Sequence, residues 1–345
     1  MLALNRPLAK LAAQWTATVD DYPLALSISA DGNLLAVGAA DGSLRVLDAV
    51  TGALRWRRAD HALGVQTVAI GDGVLASGGQ DGTVRLWRLN SGDGIAAIKA
   101  GTGLVQHLAW SIDGRRLAWV SGRTLRRTNR GGELLDEVAN PESAITVFGH
   151  SPDGQWLAVA GTTGIALHPA AEPRKSRIVM PRKLPLLTLA WSDDSRIVAC
   201  GTGDSSVHFW RVGSGAESRM SGLGTAPFHG APLAWIGKHL AIAALDAVVL
   251  WDFSGQGPEG AAPTSLEGHR ADISHLAVDR QRRWLASGDR DGHLLLWTPG
   301  RSHDAKAEST AETEISALLW NPRRDLLHVA DGSGAIRALR LPTSR

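Results

Sequence analysis

The chain has 345 residues, of which 44% are hydrophobic and 20% are charged, a composition typical of a globular protein with a substantial buried core. Its 36 lysines and arginines nearly balance 34 acidic residues, and a formal net charge of +2 excludes binding to nucleic acid or to an anionic membrane through overall charge alone. The single cysteine, Cys200, excludes an intrachain disulfide and fits a reducing compartment.

The first segment along the chain is MLALNRPLAKLAAQW. Lys10 interrupts the apolar stretch that a secretory leader needs, and no small-residue cleavage site follows, so we interpret the segment as part of the mature protein. No apolar run in the sequence has the length of a membrane span, and we expect no membrane partner.

From Ala25 onward one pattern recurs to the end of the chain. A representative copy, ISHLAVDRQRRWLASGDRDGHLLLW, alternates apolar and polar residues with the period of two that is typical of strands. Corresponding positions in successive copies are 40 to 45 residues apart. The eight copies begin at Ala25, Val65, Val105, Ile145, Leu186, Pro232, Ile273 and Ile315.

Each copy carries the signals of four short strands. Asp-Gly pairs such as Asp81–Gly82 supply the positive φ that tight hairpin turns require, and a more polar strand such as GALRWRRA precedes the next copy. Four strands in about forty residues is the pattern of a propeller blade. We therefore predict an all-β fold, a single β-propeller of four-stranded antiparallel blades that occupies residues 1–345 as one domain.

The copies resemble WD40 repeats, and the resemblance covers essentially the whole chain. Trp251–Asp252 preserves the dipeptide that ends the family's repeat, and Gly268–His269 preserves the pair that opens it. Three further copies keep the tryptophan alone, at Trp87, Trp210 and Trp297. The third, fourth and eighth copies have no tryptophan in their third strand. The eight copies predict eight blades, and seven, the commoner number in this family, is the alternative.

The eighth copy ends at RALRLPTSR, without a fourth strand. Near the N-terminus, AAQWTATVDDYPLALSI aligns with ALRWRRADHALGVQTV, which places Trp15 at the position of Trp56. Because a propeller leaves no ragged sheet edge, we predict that residues 13–19 form the outer strand of the last blade and close the ring.

Taken alone, His269, Ser287 and Asp291 suggest the base, nucleophile and acid of a catalytic triad. However, the six-residue spacing from Asp291 to Trp297 recurs from Asp81 to Trp87 and from Asp204 to Trp210. The resemblance implies a buried structural tetrad of hydrogen bonds instead, formed by His269, Ser287, Asp291 and Trp297. His61 is the expected histidine of the second copy, and Cys200, at the serine's position in the fifth, is expected to be buried. We predict no catalytic residue and no enzymatic activity.

Four tryptophans occupy the first strand of their copies, Trp110, Trp191, Trp235 and Trp320, which predicts packing between blades. The chain has 12 histidines but no pair with a convincing ligand spacing, because His269 and His275 are six residues apart and His293 belongs to a different strand. We predict no cofactor and no metal site. A metal or small-ligand carrier that uses the central channel remains an alternative.

The densest basic run, AEPRKSRIVMPRKLP from Ala171, follows GRTLRRTNR from Gly122. Together they suggest a cationic patch on the third and fourth blades, which makes nucleic-acid binding a further alternative. We favour a role for Arg174, Lys175 and Arg177 in keeping a strand edge from pairing with other chains.

The predicted function is a non-catalytic scaffold for protein–protein interaction. The partner is expected on the face formed by the loops between blades and by the turns between the second and third strands, which vary from copy to copy. Candidate partner-binding residues there are His61, Arg123, Arg182, Lys183, His229, Arg270, Asp272 and Arg290. We expect a cytoplasmic location, and the composition, poor in aromatic residues, indicates a bacterial source.

Overall fold

The computed structural model describes residues 8–101, 103–139, 144–171, 184–204, 206–220, 232–254, 262–300 and 302–341, and the backbone of 178–181. All regular structure in these ranges is β-strand. No helix capable of crossing a membrane occurs among the described residues.

Eight four-stranded antiparallel blades form a β-propeller, so the prediction of eight blades is confirmed over the alternative of seven. The four strands of each blade are named a to d in chain order. In blade 8 only strands a to c come from the end of the chain, and strand d comes from the N-terminus. Blades 1 to 4 comprise Pro23–Ile28, Leu34–Ala39, Leu44–Asp48 and Leu54–Arg58; Val65–Ile70, Val74–Gly79, Thr83–Arg88 and Gly94–Lys99; His107–Trp110, Arg116–Ser121, Thr124–Asn129 and Leu134–Ala139; and Ile145–His150, Trp156–Gly161, Gly164–Pro169 and Ile178–Pro181. Blades 5 to 8 comprise Leu186–Trp191, Ile197–Thr202, Val207–Arg211 and Glu217–Met220; Leu233–Ile236, His239–Ala244, Ala247–Asp252 and Thr264–Glu267; Ile273–Val278, Leu285–Asp289, His293–Trp297 and Ala307–Thr310; and Ile315–Trp320, Leu326–Asp331 and Ala335–Arg340.

The N-terminus supplies the missing strand d of blade 8. Ala13–Thr18 lies antiparallel to Ala335–Arg340, in the segment predicted from the sequence. A second short strand, Ala9–Lys10, lies parallel to Ala307–Thr310 and adds a fifth strand to blade 7. The sequence does not predict this fifth strand, because two residues carry no periodicity.

Both faces of each blade are buried against neighbouring blades. Alternation with a period of two directs Ala36 toward blade 2 but Leu35 and Val37 toward blade 8. Complete burial of a leucine such as Leu35 contributes about 1.5–3 kcal/mol. Eight clusters of buried residues result, and each joins two adjacent blades, including blade 8 to blade 1.

Tryptophans link the blades by hydrogen bonds as well as by packing. In strand a, the indole N–H of Trp110 donates to the carbonyl of Ala69 in the preceding blade at 3.0 Å, and that of Trp320 donates to the carbonyl of Ala277, also at 3.0 Å. Trp191 and Trp235 form the same type of bond with the blade that precedes them. The predicted role in packing between blades is confirmed.

Candidate functional site

Two sets of connections share one face of the propeller, which we call the d–a face: the d–a loops between blades and the b–c turns within them. In blade 1 the amide of Ala40 donates to the carbonyl of Tyr22 at 2.9 Å, and in blade 7 the amide of Arg290 donates to the carbonyl of Asp272 at 3.1 Å. Blades 2 and 8 repeat this bond. The opposite side, formed by the a–b and c–d turns, is called the a–b face.

Glycines in the b–c turns allow the next blade's loop to lie close. Gly42 has a φ of +81°, and a β-carbon there would stand 2.5 Å from the carbonyl oxygen of His61 in the following d–a loop. Only glycine combines this left-handed conformation with so close an approach of backbone. The Asp-Gly pairs therefore shape the d–a face, as well as the hairpins in which they lie.

The structure separates the predicted partner-binding residues into three groups. Arg123, Arg270 and Arg290 are exposed on the d–a face, and Asp272 is half-buried. Arg182, Lys183 and His229 lie outside the described residues.

His61 forms the third group, and its prediction as a partner-binding residue was wrong. Its side chain is 1% exposed and its residue 5%, because both ring nitrogens are engaged inside blade 2. It cannot contact a partner without opening the blade, so its role is that of a tetrad histidine only.

Tyr22, Glu314 and Arg290 interact where blades 7, 8 and 1 meet on the d–a face. Burial and a hydrogen bond to the Glu314 carboxylate raise the pKa of Tyr22 to about 12, and the positive charge of Arg290 opposes that shift only in part. The tyrosine hydroxyl is therefore neutral at physiological pH, and its one O–H donates to Glu314.

Sequence reasoning missed three exposed leucines on this face. Leu63 in the d–a loop of blade 2 is 56% exposed, Leu104 in the loop of blade 3 is 41% exposed, and Leu245 in the b–c turn of blade 6 is 43% exposed. Their sequence signal is an apolar residue among turn residues, as in DHALG and GTGLV. That signal is weak by itself, because single apolar side chains are common on protein surfaces.

A buried hydrogen-bonded tetrad joins strands b and c of blade 7 to the loop that precedes the blade. Trp297 Nε1 donates to Ser287 Oγ at 2.7 Å, Ser287 Oγ lies 2.6 Å from His269 Nε2, and His269 Nδ1 lies 2.7 Å from a carboxylate oxygen of Asp289. These four side chains form a continuous chain of donors and acceptors, so each buried polar group has a partner.

The carboxylate of this tetrad is Asp289, and the prediction of Asp291 was wrong. In blade 2, His61 bonds to Asp81, which does occupy the Asp-Gly position. Asp81 can turn inward there because residue 79 is glycine: a β-carbon at Gly79 would collide with both the Asp81 carboxylate and the His61 ring. In blade 7 the position equivalent to Gly79 is Asp289, whose own side chain fills that space and leaves Asp291 exposed.

Opposing effects act on the Asp289 carboxyl. Its burial favours the neutral acid, but hydrogen bonds from His269 and from the amides of His293 and Asp291 outweigh burial and hold the pKa of Asp289 below its ordinary value. The group is therefore a charged acceptor in the folded protein over the physiological range.

The Ser–His–Asp arrangement has no access to a substrate. Ser287 is completely buried and its hydroxyl is already bonded to Trp297 and His269. The nucleophile of a catalytic triad must be exposed to substrate beside an oxyanion hole, and Ser287 is not exposed. Cys200 is also buried, and burial raises the pKa of its thiol far above the usual range, so it is not a reactive nucleophile.

One cluster among the described residues has donor atoms placed for a metal ion. His269, Asp289 and His293 offer ligand atoms within 4.8 Å of one another, and the His293 ring also bonds to Glu308 at 3.0 Å. No spacing in the sequence indicates this cluster, because His269 and His293 meet only through the pairing of strand c with its neighbours and the loop that packs on them. In blade 2 the residue equivalent to His293 is Thr83, which supplies no such ligand.

Three of the four arginines in the blade 3 half of the predicted cationic patch are paired with carboxylates of the chain. Arg126 pairs with Glu137 at 3.0 Å, and the buried Arg127 pairs with Asp136 at 2.5 Å. Arg130 pairs with Asp72 at 2.7 Å. The other half of the patch, from Arg174 to Lys183, lies mostly outside the described residues.

A family model described as "WD domain, G-beta repeat" matches residues 10–48, 59–88, 183–211 and 261–298. The LST8 homolog of Drosophila melanogaster is 24% identical over 235 residues, which are 65% of this chain and 75% of that protein. Actin-interacting protein 1 of the same species is 32% identical over 184 residues, 48% of this chain and 29% of that protein. The cell cycle switch protein ccs52B of Medicago truncatula is 24% identical over 161 residues, 44% of this chain and 31% of that protein. The chain spans about a third of the length of the latter two proteins.

Two solved structures share the fold. The C-terminal WD40 domain of Sif2 superposes with a TM-score of 0.79 at 16% identity, over 97% of this chain and 99% of that one. The computationally designed protein Ika8 superposes with a TM-score of 0.78 at 19% identity, over 97% of this chain and all of that one. At this identity the likeness extends to the fold alone.

Proposed function

This chain is a WD40-repeat β-propeller, and we propose that it is a non-catalytic scaffold that binds a partner protein on the d–a face. WD40 propellers generally act as protein-interaction scaffolds, and the name of one relative, Actin-interacting protein 1, describes association with another protein. The observation that carries the choice of face is the pair of exposed leucines, Leu63 and Leu104, in the loops that lead into adjacent blades.

Exposed leucines on a rigid rim favour a protein partner over a charged polymer. A few side chains buried in a partner's pocket supply most of the affinity of a typical interface, and surrounding charges tune orientation and association rate. Arg270 and Arg290 lie on the same face and supply charges of that kind.

The test compares the leucines of the d–a face with an exposed leucine elsewhere on the propeller. Leu63→Asp combined with Leu104→Asp should abolish capture of partners from a lysate of the native host, because an aspartate cannot be buried in an apolar pocket. Leu54→Asp is the matched control: Leu54 is also 56% exposed, but it lies in the outer strand of blade 1. If the double variant retains the partners, or if the control loses them equally, the d–a face is not the partner-binding surface.

Charge reversal tests the second feature of the face. Arg270→Glu with Arg290→Glu should slow partner association, with a loss of about tenfold in affinity at low salt. Arg196→Glu is the control, since Arg196 is exposed in the a–b turn of blade 5, on the opposite side. An association rate insensitive to the double reversal would exclude these arginines from the interface.

A second candidate function is binding of a transition-metal ion such as Zn²⁺ by His269, Asp289 and His293, which their proximity supports; the ion would take the place of the hydrogen bond between His269 Nδ1 and Asp289. His293→Thr reproduces the residue that blade 2 carries at this position and leaves the tetrad's hydrogen bonds in place. Elemental analysis after dialysis against Zn²⁺ should give one equivalent in the unmodified protein and none in the variant. Equal metal content in both proteins would exclude this site.

We also propose a cytoplasmic location, with which a single cysteine, and hence no intrachain disulfide, is consistent. Fractionation of the native host, with detection of the untagged chain, tests it.

A further inference from the structure

A groove of about 1000 Å³ opens on the a–b face, on the opposite side of the propeller from the d–a face. It is lined by the a–b turns of blades 7 and 8, and it extends to Val50 in the c–d turn of blade 1. Two tryptophans, Trp284 and Trp320, also line it. The groove is therefore built by three consecutive blades.

Arginine dominates the charge of this groove. Two acidic residues line it, Asp279 and Asp325. The five arginines that line it are Arg280, Arg283, Arg323, Arg324 and Arg340. The groove thus carries a larger positive charge than the whole chain, whose formal net charge is +2.

Only one of these arginines is paired with a carboxylate among the described residues. Arg283 contacts Asp325 at 3.0 Å and Asp279 at 3.6 Å. Arg280 and Arg340 are exposed, and their guanidinium groups have no partner in the part of the chain that the structure describes.

Two further arginines are held in place without being neutralised. Arg323 Nε donates to the carbonyl of Ala30 at 3.1 Å, and Arg324 donates to the carbonyl of Gly32 and to Asn33 Oδ1, both at 2.8 Å. Carbonyl oxygens orient a guanidinium group but carry no formal charge, so the positive charge of Arg323 and Arg324 remains available to an anion.

The local sequence explains why the charge accumulates here. In blades 1, 3, 4 and 5 the a–b turn contains serine followed two residues later by aspartate, and the two side chains are hydrogen-bonded. In blades 7 and 8 the equivalent turns read DRQRR and NPRRD, and the aspartate's position is taken by Gln281 and Arg323. Asp279 and Asn321 cap the turn amides instead, so the turn keeps its shape without the usual aspartate and carries two or three arginines.

We propose that this groove binds an acidic peptide segment of a partner protein, at a site separate from the d–a face. Arginine forks match carboxylates in bidentate geometry, and a concave site strengthens the field of clustered charges. The half-buried indole ring of Trp284 beside the arginines gives apolar contact for the peptide between its acidic side chains. The two faces would allow the propeller to hold two partners at once.

The probe is a fluorescein-labelled, end-capped hexaglutamate peptide, measured by fluorescence anisotropy on the intact 345-residue protein at low and at physiological salt. We expect saturable binding that weakens as salt rises, and a loss of about tenfold or more in affinity for Arg280→Glu combined with Arg340→Glu. These two arginines have no partner within the described part of the chain, so their replacement leaves the fold intact, which circular dichroism checks.

The matched control is Arg115→Glu combined with Arg196→Glu. Both residues are exposed in a–b turns on the same face, in blades 3 and 5, and the change in net charge is identical. Binding reduced equally by both pairs of substitutions would indicate attraction to overall charge and overturn the proposal, as would no binding by the unmodified protein.

Two further outcomes distinguish a peptide site in the groove from a nucleic-acid site and from the d–a face. Competition by an oligothymidylate at lower concentration than by unlabelled hexaglutamate would overturn the proposal in favour of nucleic acid. The Leu63→Asp and Leu104→Asp variant should bind hexaglutamate normally. Loss of hexaglutamate binding in that variant would contradict the independence of the two faces. If instead the d–a face binds no partner protein, hexaglutamate binding in the groove is still expected.

Discussion

At the scale of single residues, the two tetrads show that the carboxylate bonded to the buried histidine can come from either of two positions in the repeat. The space beside the histidine ring decides which position supplies it. Asp289 and Asp81 both accept from a buried histidine, but they occupy different positions relative to the Asp-Gly turn. The deciding residue is the one at the end of strand b: a glycine in blade 2 and Asp289 itself in blade 7.

We therefore expect Asp289→Ala to lower the free energy of unfolding by about 2–4 kcal/mol, because it leaves the His269 N–H and two backbone amides without their acceptor. Asp291→Ala, two residues away and exposed, should change it by less than about 0.5 kcal/mol. Urea denaturation of the two variants measures the difference.

Blade 2 provides the reciprocal control for that prediction. There the residue that matters is Asp81, so Asp81→Ala should be costly although its position in the repeat is that of the dispensable Asp291. Similar losses for Asp289→Ala and Asp291→Ala would contradict the assignment of the carboxylate.

A second residue-scale consequence concerns His150, at the end of strand a in blade 4. Neither of its ring nitrogens has a hydrogen-bond partner among the described residues. Burial, and then the positive charge of Arg127, lowers the pKa of His150 to about 4, against a smaller opposing effect of Asp113.

This lowered pKa should make the protein less stable in mild acid. As pH falls through about 6.5 the unfolded chain takes up a proton on this imidazole, whereas the folded chain does not until about pH 4, so stability is lost between these values. His150→Phe removes the titration, and its stability relative to the unmodified protein should rise by up to about 3 kcal/mol between neutral pH and pH 4. Parallel pH profiles from denaturation of both proteins would show that His150 does not titrate in this way.

At the scale of the structural elements, four of the eight inner strands are joined to the preceding blade by an indole hydrogen bond. Trp320 bonds to strand a of blade 7 and is 7% exposed. Trp320→Phe should cost about 1 kcal/mol for the lost hydrogen bond, and Trp320→Ala about 3–5 kcal/mol because a cavity is left between blades 7 and 8. Calorimetry gives both values, and an unchanged stability of Trp320→Phe would mean that the indole N–H contributes nothing.

The sequence predicted the blades, the N-terminal strand and the tryptophans that pack between blades. Period-two alternation and the regular spacing of Asp-Gly turns are local signals, and they located the blades and the N-terminal strand through the match of Trp15 to Trp56. Trp15 and Trp56 indeed form the same bond, each donating to the carbonyl at the end of strand c in the following blade.

What the sequence could not predict depends on distances between residues far apart in the chain or on space around a side chain. The proximity of His269 and His293 depends on how a loop packs against strand c, and the choice between Asp289 and Asp291 depends on room beside the histidine. The arginine groove needs two turns and three blades in register, although its residues are visible in the sequence as DRQRR and NPRRD.

At the scale of the whole molecule, stability depends on the ring as a unit, because each blade is buried only by its two neighbours. The interface between blades 8 and 1 uses the N-terminal strand: Trp15 packs in the cluster with Leu35 and Ile336, and its indole donates to the carbonyl of Ala49 at 3.2 Å. Lys10 also forms an ion pair with Glu308 in blade 7. Because the lysine is exposed to solvent, this pair contributes little to the stability of the fold.

Deletion of residues 1–20 should therefore lower the melting temperature and broaden the transition, since blade 8 loses its outer strand and exposes an unpaired edge and part of a core. Deletion of residues 1–7 is the control, because it leaves Ala9–Lys10 and Ala13–Thr18 in place. Deletion of residues 1–10 removes the parallel strand but keeps the buried Leu11, and we expect a smaller effect, because only two residues pair with Ala307–Thr310. If the chain that begins at residue 21 melted as cooperatively and at the same temperature as the intact protein, the pairing of Ala13–Thr18 with Ala335–Arg340 would not hold the ring together.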